Sequence, residues 1–168
     1  MDTPIRMPFM ERRLDNLHIQ KNPLPNGATA FLARSFVKIV AGLLVPVATD
    51  DVVCYGQVPG PSHAVTEKPP DTLYGQLHWV FNPKDALFII NITTGAGTIG
   101  QAGGAPQLSA VTVGAEYGIL TTGTGIMMLA IDEVTAKFAR VKAIYPNQAL
   151  TDYNGLVLIQ ILDAVIQG

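Results

Sequence analysis

The 168-residue chain has little charge, with 14% Asp, Glu, Lys and Arg where an ordinary soluble domain carries roughly 25%. Its formal net charge of −2 is too small to argue for nucleic acid or any strongly charged partner. Arg6, Arg12, Arg13, Lys21, Arg34 and Lys38 fall in the first quarter of the chain, without the density of a phosphate-binding patch. A single cysteine, Cys54, excludes an internal disulfide framework and a multi-cysteine zinc site. Long apolar runs are missing too. "IMMLAI" stops at Asp132, and "FVKIVAGLLVPVA" carries Lys38 and Pro46, so no segment reaches the roughly 18 residues of a membrane helix. The N-terminus has no apolar stretch before a small-residue cleavage site, so no secretory signal is expected.

What is present is apolar surface. The chain is 48% hydrophobic with a mean hydropathy of +0.29. A single domain of roughly 150 residues hides close to 70% of its unfolded surface, and this composition has more apolar area than one such globule usually covers. Contact with other subunits is the simplest outlet, which predicts an assembly.

The texture changes near residue 30. Residues 1–30 mix most of the early charges with Pro4, Pro8, Pro23 and Pro25, a pattern that breaks regular structure. They read as an N-terminal arm with one short helix around Phe9 to His18, because Met10, Leu14 and Leu17 fall on one helical face. Residues 31–168 read as a β-domain. "FLARSFVKIV", "DVVCYGQV", "TLYGQLHWVF", "DALFIINITT", "LSAVTVG", "EYGILTT", "GIMMLAID", "KFARVKAIY" and "GLVLIQIL" are short, β-branched or aromatic, and separated by turn residues. Their spacing of roughly ten residues leaves little room for crossover helices. The fold expected is all-β, an antiparallel sandwich or barrel, jelly-roll-like, of about nine strands. "LFIINI" and "IMMLAI" are apolar on both faces, which places such strands between two layers or under a partner. Two loops stand out: the proline-rich Gly56 to Thr72, expected to be exposed, and the uncharged, glycine-rich Thr93 to Gln107.

Several motifs invite a chemical reading. "GAGTIG", Gly95 to Gly100, has the G-x-G-x-x-G form of a dinucleotide turn and follows an apolar β-type run. That turn must open a helix facing the pyrophosphate. Here Gly103, Gly104 and Pro106 would occupy the first two turns of that helix, where a glycine pair costs roughly 2 kcal/mol and an interior proline about 3, so the match reads as chance. Cys54 lies among apolar strand residues and reads as a buried, inert thiol rather than a partner of His63 or His78. His18, His63 and His78 share no ligand spacing, and His78 beside Trp79 reads as a strand-surface residue. Asp50-Asp51 and Asp132-Glu133 read as strand ends or turns, since neighbours on a strand point to opposite faces. No cofactor, metal or catalytic residue is expected.

The last third carries a resemblance. "TVGAEYGILTTGTGIMMLAIDEV", "FARVKAIYP" and "TDYNGLVLIQIL", through Gly114, Tyr117, Gly118, Asp152, Asn154, Gly155, Val157 and Leu158, resemble the capsid decoration (cement, or head-stabilising) proteins of tailed bacteriophages. The resemblance covers residues 36 to 168 in texture and the last third in motif; the loop Gly56 to Thr72 has no counterpart in it. It implies a non-enzymatic virion protein, made in the host cytoplasm, that binds the capsid exterior across major capsid protein subunits. It further implies a homo-oligomer, a trimer rather than a dimer, with no nucleic acid, membrane or small-molecule partner. Another phage structural β-protein, from the tail, the baseplate or a receptor-binding component, is the alternative. For the arm, capsid or neighbour contact is expected through Phe9, Met10, Leu14 and Leu17, with Arg12 and Arg13 meeting acidic groups.

Overall fold

The computed structural model describes residues 5, 7–13, 20–62, 77–101 and 104–167. These contain eleven strands and, among the described residues, no α-helix. The all-β expectation therefore holds.

Two curled sheets form. The first takes its strands from the N-terminal half: β2 (Gln20–Pro25), β3 (Phe36–Val40), β4 (Leu43–Pro46), β5 (Gly56–Gln57) and β6 (Leu77–Phe81), in the order β2-β6-β5-β3-β4. Every pair is antiparallel, and a bridge from Asn26 to Leu44 brings β2 round to β4. The second contains β7 (Ala86–Thr93), β8 (Glu116–Thr121), β9 (Met127–Ala130), β10 (Ala139–Ile144) and β11 (Leu156–Ile161). Antiparallel pairing runs β7-β11-β10-β8-β9, and a short parallel pairing of β9 with β7 closes the ring. Closure leaves few unpaired strand edges, the standing liability of sheets. The remaining strand, β1 (Phe9–Arg13), lies along β7.

The two barrels share a wall. On β3, Phe36 enters the large core with Phe88 and Phe138, while Val37 enters the small core with Phe31, Leu44, Tyr55, Val58 and Val80. Cys54 and Tyr55 divide in the same way. Successive strand residues face opposite sides, so a strand with two apolar faces is satisfied here by two cores of one chain. "IMMLAI" is explained likewise: Met127 and Leu129 face the large core, and Met128 and Ala130 meet Leu120 and Ile5 in a third cluster.

Four local expectations are corrected. Phe9–Arg13 is a strand, not the start of a helix; a ten-residue helix is marginal in water, whereas the edge of β7 offers ladder bonds. "LSAVTVG" contains a 3-10 turn at Leu108–Ala110 and no strand. β4 follows β3 through a two-residue turn at Ala41 and Gly42, both with positive φ, and no polar punctuation announced it. Finally, Gly56, Gln57 and Val58 of the proline-rich loop are buried rather than exposed. A Cβ on Gly56 would lie 2.3 Å from the Phe81 carbonyl oxygen, so only glycine lets β5 and β6 approach this closely.

The N-terminal segment is tied to its own chain at several points. Ile5 packs on Leu120, Met128 and Ala130, Met7 packs on the large core, and the Pro8 carbonyl accepts a 2.9 Å bond from Gln57 Nε2.

Candidate interaction surface

Cys54, His78 and the two acidic pairs are committed to structure. Cys54 is fully buried, and desolvation pushes its thiol from 9.0 up to about 12, against a smaller opposing pull from the Lys21 ammonium. It is a neutral core residue at any physiological pH. His78 is also buried, which corrects its expected surface position; it meets the Phe31 ring edge-on at 5.1 Å and places Nε2 3.1 Å from Asn26 Oδ1. Its neighbour Trp79 takes the exposed face. His18 and His63 lie outside the described residues.

Both acidic pairs hold turns. Asp51 Oδ2 accepts from the Ala48 amide at 2.6 Å and pairs with Lys38 at 2.6 Å. Asp132 Oδ1 accepts from the Gly95 amide at 2.6 Å, and Glu133 Oε1 accepts from Thr135 and Ala136 at 2.6 and 2.7 Å. Those backbone donors hold the Glu133 carboxyl below its ordinary range. No cluster of three or more His, Cys, Asp or Glu capable of holding a metal occurs among the described residues.

The glycine-rich loop is organised by Asn154. Asn154 is buried with φ +49°. Its Nδ2 donates to the carbonyls of Ile92 and Thr98 at 2.9 and 3.1 Å, and its Oδ1 accepts from the Gly100 amide at 2.7 Å. Asn91 Nδ2 secures the Asn154 carbonyl at 2.7 Å. The last glycine of "GAGTIG" thus spends its N–H on an asparagine, and Ala105–Pro106 lead to a strand-like bridge between Gln107 and Tyr153. Next to it, a Cβ on Gly155 would lie 2.2 Å from Leu108 Cγ. The residues behind the resemblance are therefore architectural: Asp152 Oδ2 caps the Ala149 amide, Asn154 pins a loop, Gly155 admits Leu108, Tyr117 OH accepts from the Thr112 amide, and Val157 fills the large core.

What the surface offers instead is apolar contact. At the tip of the β3–β4 hairpin, Val40, Ala41, Gly42 and Leu43 are consecutive exposed residues. A run of three or four exposed apolar residues contradicts the patterning of a strand facing water. Hairpin turns of this kind favour Asn, Asp or Gly where φ is positive, yet position 41 is alanine at φ +50°. Trp79, 55% exposed, stands on the outer side of β6. Elsewhere on the large barrel an open cleft of about 340 Å³ is lined by Glu116, Arg140, Gln160, Leu162 and Asp163. Arg140 occupies Glu116 there at 2.6 Å, with Lys137 at 3.6 Å. The Arg140 hydrogen bond is the main reason the Glu116 carboxyl lies below its ordinary range.

The residues expected to contact a partner divide into two groups. Phe9, Met10, Arg12 and Arg13 lie on β1, their backbone in register with Ile89, Phe88, Leu87 and Ala86. Leu14 and Leu17 lie outside the described residues. The hairpin tip was not anticipated. Its signal is the uncharged run "IVAGLLVPVAT", in which the apolar pattern crosses a turn without a polar residue.

No protein-family model, curated protein or solved structure matches the chain.

Proposed function

We propose that this chain is a non-enzymatic structural protein of a tailed-phage virion. In this reading it binds the outside of the head across major capsid protein subunits and stabilises the shell as a homo-oligomer, a trimer rather than a dimer. It is made in the host cytoplasm and needs no cofactor, nucleic acid, membrane or small-molecule substrate. The observation that carries the reading is the β3–β4 tip, four consecutive exposed uncharged residues with an alanine held at positive φ. Backbone strain retained at an exposed apolar tip marks a place where contact matters more than the stability of the isolated chain. The chain as a whole is only 14% charged, and the Cys54 thiol, the His78 imidazole and the paired carboxylates are engaged in the core or in turns. β1, at the edge of the large barrel's sheet, supplies Phe9, Met10, Arg12 and Arg13 as the second contact, continued by Leu14 and Leu17.

The test is co-sedimentation with preassembled phage heads lacking this chain, together with its native mass. The chain is expected to be oligomeric, to bind heads, and to remain bound in moderate salt, because contact by apolar burial is screened little. Val40→Asp with Leu43→Asp is expected to abolish binding while leaving the circular dichroism spectrum unchanged. A monomer with no affinity for heads refutes the proposal. Electron microscopy of particles distinguishes the alternative: density on the tail or baseplate instead of the head assigns the chain there.

A further inference from the structure

The sequence contains two Asn-Gly dipeptides, Asn26–Gly27 and Asn154–Gly155, and the fold guards them unequally. Asn-Gly is the dipeptide most open to intramolecular attack, because glycine has no Cβ to keep its nitrogen from the preceding side chain. The glycine nitrogen loses its proton and bonds to the asparagine Cγ, the Cγ–Nδ2 bond breaks, and ammonia leaves. Water then opens the resulting succinimide to aspartate or to iso-aspartate, which adds a carbon to the backbone.

In the folded chain each requirement of that reaction is blocked at Asn26. The Gly27 N–H donates to the Leu44 carbonyl at 2.7 Å. The side-chain amide is held at both ends, Nδ2 donating to the Gly27 carbonyl at 2.9 Å and Oδ1 lying 3.1 Å from His78 Nε2. These contacts are themselves the seam of the small barrel, where Asn26 bridges to Leu44 and joins β2 to β4. Asn154 is guarded more deeply: it is 1% exposed and its amide makes three bonds inside the large barrel.

We propose that Asn26–Gly27 is a gated modification site, silent while the small barrel is closed and deamidated when its β2–β4 seam opens, whereas Asn154–Gly155 stays silent until the large barrel unfolds. Among the described residues the seam carries one bridge and the Gly27–Leu44 hydrogen bond beside a core of six buried members, and seams of that kind open before the body of a fold. Deamidation there places a carboxylate against His78, and the iso-aspartate product breaks the Leu44 register, so the opened state is fixed covalently. The inference is independent of the proposed function.

The experiment incubates the full chain at mildly alkaline pH in buffer, in sub-denaturing urea and in concentrated urea. Peptide mass spectrometry then follows the one-dalton gain and iso-aspartate at positions 26 and 154. Asn26 is expected to convert at least about tenfold more slowly in buffer than in concentrated urea, since the rate follows the open population. In sub-denaturing urea it is expected to accelerate while Asn154 does not. Gly27→Ala tests the chemistry: a Cβ there lies 3.4 Å from the Leu44 oxygen, an ordinary contact, so the variant folds. Conversion at 26 in concentrated urea is then expected to be lost, with that at 154 unchanged. Equal rates at Asn26 in buffer and concentrated urea overturn the gating. Simultaneous acceleration at both positions overturns separate opening, and undiminished conversion in Gly27→Ala overturns the mechanism.

Discussion

Phe36 and Val37 are adjacent on β3, yet they belong to barrels of different weight. Phe36 meets Phe88 at 5.0 Å and Phe138 at 5.7 Å, the aromatic centre of a core with nineteen buried members among the described residues. Val37 belongs to a core with six buried members among the described residues. Both cores receive side chains from outside their own strands, the large one through Val47, Cys54 and Leu108 and the small one through Phe31, Tyr55 and Val58, and among the described residues the small barrel closes through one bridge at Asn26. Among the described residues the shared wall therefore carries more buried apolar contact on its large-barrel side. The segment Val165–Gln167 reinforces the wall, the Cys54 amide donating to the Val165 carbonyl and the Ile39 amide to Gln167 Oε1, each at 2.8 Å.

The sharpest way to break that comparison is paired truncation on β3. Phe36→Ala is expected to cost about 3–5 kcal/mol, and Val37→Ala about 2 kcal/mol, from two buried methyl groups and a small cavity. Urea titrations followed by far-UV circular dichroism measure both. Because phenylalanine loses more carbon than valine, the asymmetry is read from Trp79 on β6. Its fluorescence transition is expected to precede the circular dichroism transition in Val37→Ala and to coincide with it in Phe36→Ala, and coincident transitions in both would erase the asymmetry. Next in size, Asn154→Ala leaves the Gly100 amide and two carbonyls without their side-chain partner and is expected to cost about 1–3 kcal/mol. Hydrogen exchange at Gly100 should accelerate while the small barrel's amides do not.

The wall itself is tested by alkali. The Cys54 thiol titrates at about 12 in the fold against an ordinary 9.0. Its contribution is complete below pH 9 and is lost as pH rises, at about 1.4 kcal/mol per pH unit. Lys21 acts oppositely in this range: burial lowers its pKa, so the fold gains stability as the ammonium deprotonates. Comparison of wild type with Cys54→Ala isolates the thiol, and the variant should lose less stability between pH 9 and 11. The smallest effect belongs to the surface. Trp79→Ala is expected to change stability by no more than about 0.5 kcal/mol, and a larger loss would mean that this face is packed and not open.

Much of the β-architecture was legible in short β-branched segments separated by turn residues, because a strand's period of two is written locally. The acidic pairs were legible as turn residues for the same reason, and Cys54 as a core thiol from its apolar neighbours. β4 was missed because Ala41–Gly42 turns the chain without the polar residues that usually mark a hairpin. "LSAVTVG" misled because Leu108 is buried by docking against Gly155, a contact 47 positions away that mimics strand composition. His78 was misplaced because neither its partner Asn26 nor the ring of Phe31 is near it in sequence.

By itself the sequence determined the all-β class and the low charge of the chain, since each follows from local propensity and composition. Only the tertiary structure decided that strands apolar on both faces serve two cores of one chain, that Asn154 pins the glycine loop, and that the hairpin tip is exposed. Those outcomes depend on which distant residues meet, and no window of sequence contains both members of such a pair.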